Sequence, residues 1–232
     1  MVQKTDISSI RETAVDLLYL PFQINEKISF LNNNPIIETF IVFPDSEMIT
    51  LSADPEQLDN AIDFYSKQIA DMDLQRIFIT IKKPYRLDFF NQTKEWFSEK
   101  DYNDILSDIY KNIEFPNWNN DVDELIDCFE NINKDLFMNK ESKKIYDSLP
   151  DEVTIYRGIH SESYYKAVSW TTDSDTAEFF ANRFQDGHIV TGKVKKENVF
   201  ACYESEKEVV VNPNHVEILE IAPAQDSGMT MA

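Results

Sequence analysis

Alternating apolar and polar residues in the last third of the chain predict a set of short strands. Val153-Thr154-Ile155-Tyr156 has the period-two pattern of a strand with one buried face. Val168-Ser169-Trp170-Thr171 predicts a second strand, and a helix is predicted over Ser174–Phe184. Val209-Val210-Val211 is a β-branched run typical of a buried strand. This part of the chain is therefore expected to form a sheet with a helix after its second strand.

The first half of the chain predicts a smaller, mixed unit. Asp54 before Pro55 is a helix start signal, and apolar residues at helical spacing continue to about Ala70. Lys82-Lys83-Pro84 is a plausible domain boundary, so a small α/β unit is expected over residues 1–85. Three runs predict its strands: Glu38–Phe43, Met48–Ser52 and Arg76–Ile81.

A helical pattern follows from Thr93 onward and leads into the predicted sheet. Helices are predicted over Tyr102–Ile113, Val122–Phe137 and Glu141–Leu149. We therefore assign residues 86–224 to one domain that contains both these helices and the strands. Residues 225–232 are expected to form a flexible tail.

Composition indicates a folded chain and predicts a cytoplasmic protein with no membrane partner. The 232 residues are 42% hydrophobic and 12% aromatic, which is enough to form a core. No apolar run is long enough to span a bilayer, and the first ten residues are too polar for a signal-peptide core. Cys128 and Cys202 lie in apolar contexts, which favours two buried thiols over a disulfide.

The net charge of −20 changes the expected partners. So acidic a chain repels nucleic-acid backbones and anionic membranes unless a local basic patch intervenes. It attracts a cationic partner or an arginine-rich protein. The same charge has an alternative explanation, in which the acidic surface only keeps the protein soluble.

The small numbers of glycines, histidines and cysteines exclude several kinds of site. There are four glycines, and none precedes Gly158, so neither a dinucleotide-binding Gly-x-Gly-x-x-Gly turn nor a phosphate loop is present. The three histidines have no ligand spacing, and the two cysteines are far apart, so no metal site is expected.

Three short motifs occur in a fixed order at the predicted strands. They are Tyr156-Arg157-Gly158, Ser169-Trp170-Thr171 and Glu206-Lys207-Glu208. Each is common by chance, and the third also fits an ordinary acidic surface turn. Because all three lie at predicted strand ends, a cation, two hydroxyls and two carboxylates are expected to converge on one cleft.

This ordered set resembles the mono-ADP-ribosyltransferases of the Arg / Ser-x-Thr / Glu-x-Glu type, which include bacterial toxins and phage-encoded enzymes. The resemblance covers roughly residues 150–221. It implies an α+β fold with a core of two packed, mostly antiparallel sheets and a preceding helical layer. NAD is implied as the co-substrate. Residues 86–224 would then be the catalytic domain, and residues 1–85 would help to select the target.

The resemblance also implies roles for the motif residues. Glu208 would stabilise positive charge on the ribose of NAD, and Glu206 would position or deprotonate the acceptor. On an extended strand, carboxylates two residues apart share one face. Arg157 would hold the phosphates or ribose, with the Gly158 backbone open to the nicotinamide amide. The hydroxyls have supporting roles: Ser169 would orient Glu208, and Thr171 would brace the strand at the NAD site.

The helix after the second motif supplies further NAD-binding residues by the same resemblance. Phe180 would stack against nicotinamide and Arg183 would bind phosphate, since the two are nearly one turn apart on one helical face. A core position explains Phe180 equally well. Phe179 and Phe184 are expected in the core, and Trp170 is expected to point away from the cleft.

The resemblance implies transfer of ADP-ribose from NAD to an acceptor, and an arginine side chain of a protein is favoured because two carboxylates suit a guanidinium. Three alternatives stay open: NAD glycohydrolysis with water as acceptor, transfer to RNA or DNA, and a non-catalytic acidic interaction protein. An intracellular phage-type or toxin–antitoxin setting is favoured. An antitoxin or immunity protein is accordingly a further expected partner.

Overall fold

The computed structural model describes residues 4–20, 34–37, 55–112, 122–161, 165–183 and 186–224. The strands expected at Glu38–Phe43 and Met48–Ser52, the cap at Asp54 and the tail at 225–232 lie outside these residues. Within the described part of the chain, no helix is both long and apolar enough to cross a membrane.

The chain divides into two compact units between residues 113 and 114. This division falls later than the boundary expected from Lys82-Lys83-Pro84. The Lys82 ammonium donates to the carbonyls of Asn34 and Ile37, at 2.9 Å each, and therefore holds that stretch within the first unit. As a result, the helical residues 86–112, which we expected in the catalytic domain, belong to the first unit.

The described part of the first unit is helical. Phe78 packs against Phe89 in its core, with 5.1 Å between ring centres, and Phe90 packs against Phe97 at 5.4 Å. The helix expected after Asp54 is confirmed by α2. The helices are α1 Ile7–Asp16, α2 Pro55–Asp71, α3 Leu74–Thr80, α4 Arg86–Thr93 and α5 Glu99–Asn112.

The strand expected at Arg76–Ile81 is wrong, because this segment forms α3. The β-branched isoleucines at 77, 79 and 81 are typical of a strand. Instead, Ile77 and its neighbour Phe78 are buried, whereas Ile79 is 70% exposed, which is a helical pattern. The Asp73 side chain caps the helix by accepting from the Arg76 backbone N–H at 2.8 Å.

The second unit begins with three helices: α6 Val122–Glu130, α7 Lys134–Phe137 and α8 Lys140–Ser148. We expected α6 and α7 as one helix, but Asn133 starts a new one by accepting from the Asp135 backbone N–H. Ile145 and Leu149 pack against the buried core of the sheet that follows. In the second unit the helical layer therefore consists of α6–α8.

The sheet of the second unit has six strands in the order β4-β5-β2-β1-β3-β6, and all neighbouring pairs are antiparallel. A helix, α9 Ser174–Ala181, follows β2 as expected, although it ends earlier than predicted. The strands are β1 Glu152–Ile159, β2 Ser169–Thr171, β3 His188–Lys195, β4 Val199–Tyr203, β5 Glu208–Val211 and β6 Glu217–Pro223.

The two packed sheets expected from the family resemblance are one sheet among the described residues. β1 and β2 join its two three-stranded halves through a single paired position, Tyr156 opposite Thr171. Buried side chains from both halves nevertheless form one core cluster, which includes Ile155 of β1, Trp170 of β2 and Val209 of β5. The fold is therefore α+β, with a continuous antiparallel sheet whose halves share a core.

Candidate active site

Arg157 lies on β1 directly after the residue that pairs with β2, where the two halves of the sheet meet. Its side chain is half-buried, and Nη1 donates a hydrogen bond to the backbone carbonyl of Ser169 on β2. A guanidinium is therefore fixed at the junction of the two halves of the sheet.

Ser169 and Glu208 contact each other across neighbouring strands. Thr171 lies opposite Glu208 in the β2–β5 ladder, and Ser169 lies opposite Val210. Ser169 and Glu208 are thus diagonal neighbours on one face, a separation that side chains bridge. The Ser169 hydroxyl donates to Glu208 Oε1 at 2.6 Å, which is the hydrogen bond that the resemblance implied.

Ser169 links the cation to the carboxylate. Its carbonyl accepts from Arg157, and its hydroxyl donates to Glu208. We call these three residues the Arg157–Ser169–Glu208 chain. Because a hydrogen bond to a charged partner contributes about 1.5–3 kcal/mol, each link restricts the orientation of its charged group.

Glu206 is not on an extended strand, so the expectation that both carboxylates share one strand face is wrong. Residues Ser205–Lys207 form a 3-10 turn before β5, and Glu206 has φ 58° with ψ 13°. Lys207 also has a positive φ, of 47°. Left-handed backbone at a residue other than glycine costs about 1–2 kcal/mol, so this turn must be held by its surroundings.

Residues at the end of β2 hold this turn. The buried Thr171 hydroxyl donates to the Glu206 carbonyl at 2.7 Å and accepts from the Asp173 N–H at 3.0 Å. The Thr172 N–H donates to the Lys207 carbonyl at 3.1 Å. The Lys207 ammonium bonds Asp173 Oδ1 at 2.8 Å. Thr171 therefore braces the Glu206 turn, a role that sequence reasoning did not assign to it.

The Glu206 carboxylate is exposed. Within the part of the chain that the structure describes, it takes part in no hydrogen bond or ion pair. The Glu208 carboxylate is half-buried and is held by Ser169. The Glu208 carboxylate is therefore fixed against β2, while the Glu206 carboxylate faces solvent.

Gly158 allows α9 to lie directly on β1. A Cβ at this position would be 2.3 Å from the Ala177 carbonyl oxygen and 2.5 Å from the Ala181 nitrogen. Any larger residue would displace the helix, because such separations are far below van der Waals contact. The resemblance implied that the Gly158 backbone is open to nicotinamide. The structure shows a packing role for the missing side chain, since its absence lets α9 lie on β1.

Arg183 contacts the rings of two phenylalanines just beyond α9. Its guanidinium carbon is 4.5 Å from the Phe180 ring centre and 4.8 Å from that of Phe179, within the range of cation–π contact. Phe179 is 61% exposed, so its expected core position is wrong. Ala177 and Ala181 form the buried face of α9, which places Phe179 towards solvent. Phe184 lies outside the described residues.

Trp170 and the two cysteines lie in the interior. Trp170 is buried in the core of the sheet, which confirms that it points away from the candidate site. Cys128 and Cys202 are buried free thiols, as expected. Burial raises the pKa of Cys202 to about 12, which disfavours its thiolate near neutral pH. Among the described residues, no group of three or more His, Cys, Asp or Glu is placed to hold a metal ion.

Sequence reasoning missed Asp173 and Lys207. Asp173 caps α9, since its carboxylate accepts from the Thr176 N–H at 3.2 Å and from the Thr176 hydroxyl at 2.7 Å. The signal was readable as an Asp three residues before a Thr at the start of a predicted helix. Nothing in the sequence indicated that Lys207, 34 residues later, would bond to it.

A cavity of about 320 Å³ lies elsewhere in the second unit. It is lined by charged residues that include Glu152, Lys193 and Glu217, and Lys193 forms an ion pair with Glu152 at 2.6 Å. Glu152 begins β1, five residues before Arg157, and no residue of the Arg157–Ser169–Glu208 chain lines this cavity.

Comparisons of this chain with protein-family models, with curated proteins and with solved structures found no match.

Proposed function

We propose that this protein transfers ADP-ribose from NAD to an acceptor and releases nicotinamide, with a protein arginine as the favoured acceptor. The observation that carries the proposal is the Arg157–Ser169–Glu208 chain. It brings together, from three separate strands, the cation, hydroxyl and carboxylate of the three motifs. A guanidinium suits the phosphates of NAD, while a hydroxyl and a carboxylate suit the ribose hydroxyls.

The chemistry requires a negative charge fixed beside the ribose. Cleavage breaks the bond between ribose C1′ and the nicotinamide nitrogen, and the electron pair leaves with nicotinamide, which becomes neutral. Positive charge develops on the ribose, as in glycoside hydrolysis. The Glu208 carboxylate, oriented by Ser169, is suited to stabilise that charge, because a preorganised charge needs no rearrangement in the transition state.

Glu206 is suited to the acceptor side of the reaction. An arginine nitrogen would donate its lone pair to C1′ and lose a proton to the Glu206 carboxylate, which completes the transfer. That carboxylate is exposed and can meet a side chain of another protein. The net charge of −20 also favours a cationic protein acceptor over a nucleic acid.

Incubation with NAD labelled in its adenylate part, with and without a cell lysate, tests the proposal. Label on protein arginine is the expected result. Free ADP-ribose alone would instead indicate a glycohydrolase, and label on RNA or DNA a nucleic-acid acceptor. Unchanged NAD would contradict the proposal and favour a non-catalytic interaction protein.

Arg157→Ala is expected to weaken NAD binding by one to two powers of ten, because a charge-assisted contact contributes about 1.5–3 kcal/mol. Calorimetric titration measures this affinity. Arg157→Lys is the matched variant, since it keeps the charge but loses the two-pronged geometry, and we expect it to bind with intermediate affinity. Wild-type affinity in Arg157→Ala, with an unchanged melting temperature, would remove Arg157 from the site.

The second unit, residues 114–232, is expected to cleave NAD without the first, because every motif residue lies within it. Transfer to the natural target should fall if the first unit selects that target. The measurement is nicotinamide release and protein labelling by the fragment, compared with the full chain. A folded fragment, with cooperative melting, that left NAD intact would show that the first unit completes the catalytic site.

A further inference from the structure

Lys207 is a cation placed in sequence between two carboxylates that the proposed function needs, Glu206 and Glu208. An ammonium so near could bond either carboxylate and compete with a cationic acceptor. Within the residues that the structure describes, its one ion pair is instead with Asp173, at 2.8 Å. The Lys207 side chain is therefore directed across the turn, towards the start of α9.

Asp173 is well placed to hold that ammonium. One carboxylate oxygen accepts from the backbone and hydroxyl of Thr176, and the other accepts from Lys207. The hydrogen bond from Lys207, followed by that from Thr176, keeps the pKa of Asp173 below its usual value. Asp173 is thus a carboxylate whose orientation is already fixed by capping a helix.

We propose that Asp173 sequesters Lys207 and so keeps the Glu206 carboxylate available to a guanidinium acceptor. This inference rests on the proposed function and names Asp173 as a positioning residue for it. Released from Asp173, the ammonium would be tethered one residue from Glu206, at a high effective concentration. It would then act as an internal competitor of the acceptor.

The turn also has contacts that do not involve the Lys207 side chain. Two other contacts brace the left-handed backbone: the Thr171 hydroxyl on the Glu206 carbonyl, and the Thr172 N–H on the Lys207 carbonyl. Neither uses the Lys207 side chain. The two roles of the ion pair therefore predict different results when Lys207 loses its charge. If the pair braces the turn, the KM for the acceptor should rise, whereas if it sequesters Lys207, the KM should stay close to that of the wild type.

Three variants separate these roles: Asp173→Asn, Lys207→Met and the double variant. Asparagine still caps a helix, so Asp173→Asn removes the charge while α9 keeps its start. Methionine keeps an unbranched side chain without the ammonium. The readouts are NAD hydrolysis without acceptor, and the KM and kcat for ADP-ribosylation of agmatine, a small guanidino compound.

We expect Asp173→Asn to raise the KM for agmatine about fivefold, which corresponds to the upper range for an exposed ion pair. NAD hydrolysis should stay at the wild-type rate. Lys207→Met and the double variant should both have a KM close to that of the wild type, because no ammonium remains to compete. Rescue of Asp173→Asn by the loss of Lys207 is the distinctive result.

Three results would overturn the inference while leaving the proposed function intact. They are a wild-type KM in Asp173→Asn, an equal rise of KM in Lys207→Met, and a double variant no better than Asp173→Asn. The second would show that the ion pair braces the turn. A wild-type protein that neither cleaves NAD nor modifies agmatine would overturn the proposed function and this inference together.

Discussion

Glu208→Gln is expected to lower all NAD cleavage about a hundredfold or more. Glutamine keeps the shape of the side chain and can still accept the hydrogen bond from Ser169. It removes the negative charge that would stabilise the ribosyl cation, and loss of one such electrostatic contact typically costs that much in rate. Because hydrolysis and transfer both begin with the same bond cleavage, both should fall together.

The measurement is nicotinamide release, with and without an acceptor protein. Glu204→Gln is the matched control, since Glu204 is exposed, lies four residues before Glu208 and loses the same charge. It should cleave NAD like the wild type. If both Glu208→Gln and Glu204→Gln released nicotinamide at more than about half of the wild-type rate, Glu208 would have no part in the reaction.

Glu206→Gln is expected to separate the two reactions. It leaves the Glu208 charge in place, so slow hydrolysis to free ADP-ribose should continue. Transfer to arginine should collapse, because the acceptor would lose the group that we propose to position it and to take its proton. The Glu206 side chain is exposed, so the substitution should leave the melting temperature unchanged.

Both products must be measured for both glutamate variants, because simple destabilisation would lower both activities in each. Glu204→Gln again controls for the loss of one charge in this segment. Transfer at the wild-type rate by Glu206→Gln would reject an arginine acceptor and would favour water or a nucleic acid.

The local pattern of apolar and polar residues was enough to predict several strands of the sheet. The period-two alternation at Val153-Thr154-Ile155-Tyr156 predicted β1, in which Val153 and Ile155 are buried and Thr154 is exposed. The valine run at 209–211 predicted β5, in which all three valines are buried. The β-branched run at Arg76–Ile81 predicted a strand that the structure does not contain. There a capped helix buries Ile77 and Phe78 together, and isoleucines two apart fit either structure.

The topology of the sheet depended on contacts between distant residues. β1 pairs with β2 at a single position, and the two halves of the sheet share one core. No pattern in the sequence of these segments indicates either contact. The motifs therefore indicated that strands would meet, but the number of sheets could not be derived from them.

Part of the geometry at the candidate site was implied by the resemblance, and part of it was not. The hydrogen bond between Ser169 and Glu208 was implied by the family resemblance. The left-handed turn at Glu206 was not, since neither Glu206 nor Lys207 is a residue that favours positive φ. Only the surrounding contacts, with Thr171 at their centre, make that backbone stable.

The most direct test of the central claim is nicotinamide release from NAD by the purified full chain, measured with and without an arginine-rich acceptor protein. We expect slow release by the protein alone and faster release with the acceptor, accompanied by ADP-ribose on its arginine side chains. NAD that stays intact in both samples, with a folded protein, would contradict the assignment of the Arg157–Ser169–Glu208 chain as a site for NAD cleavage.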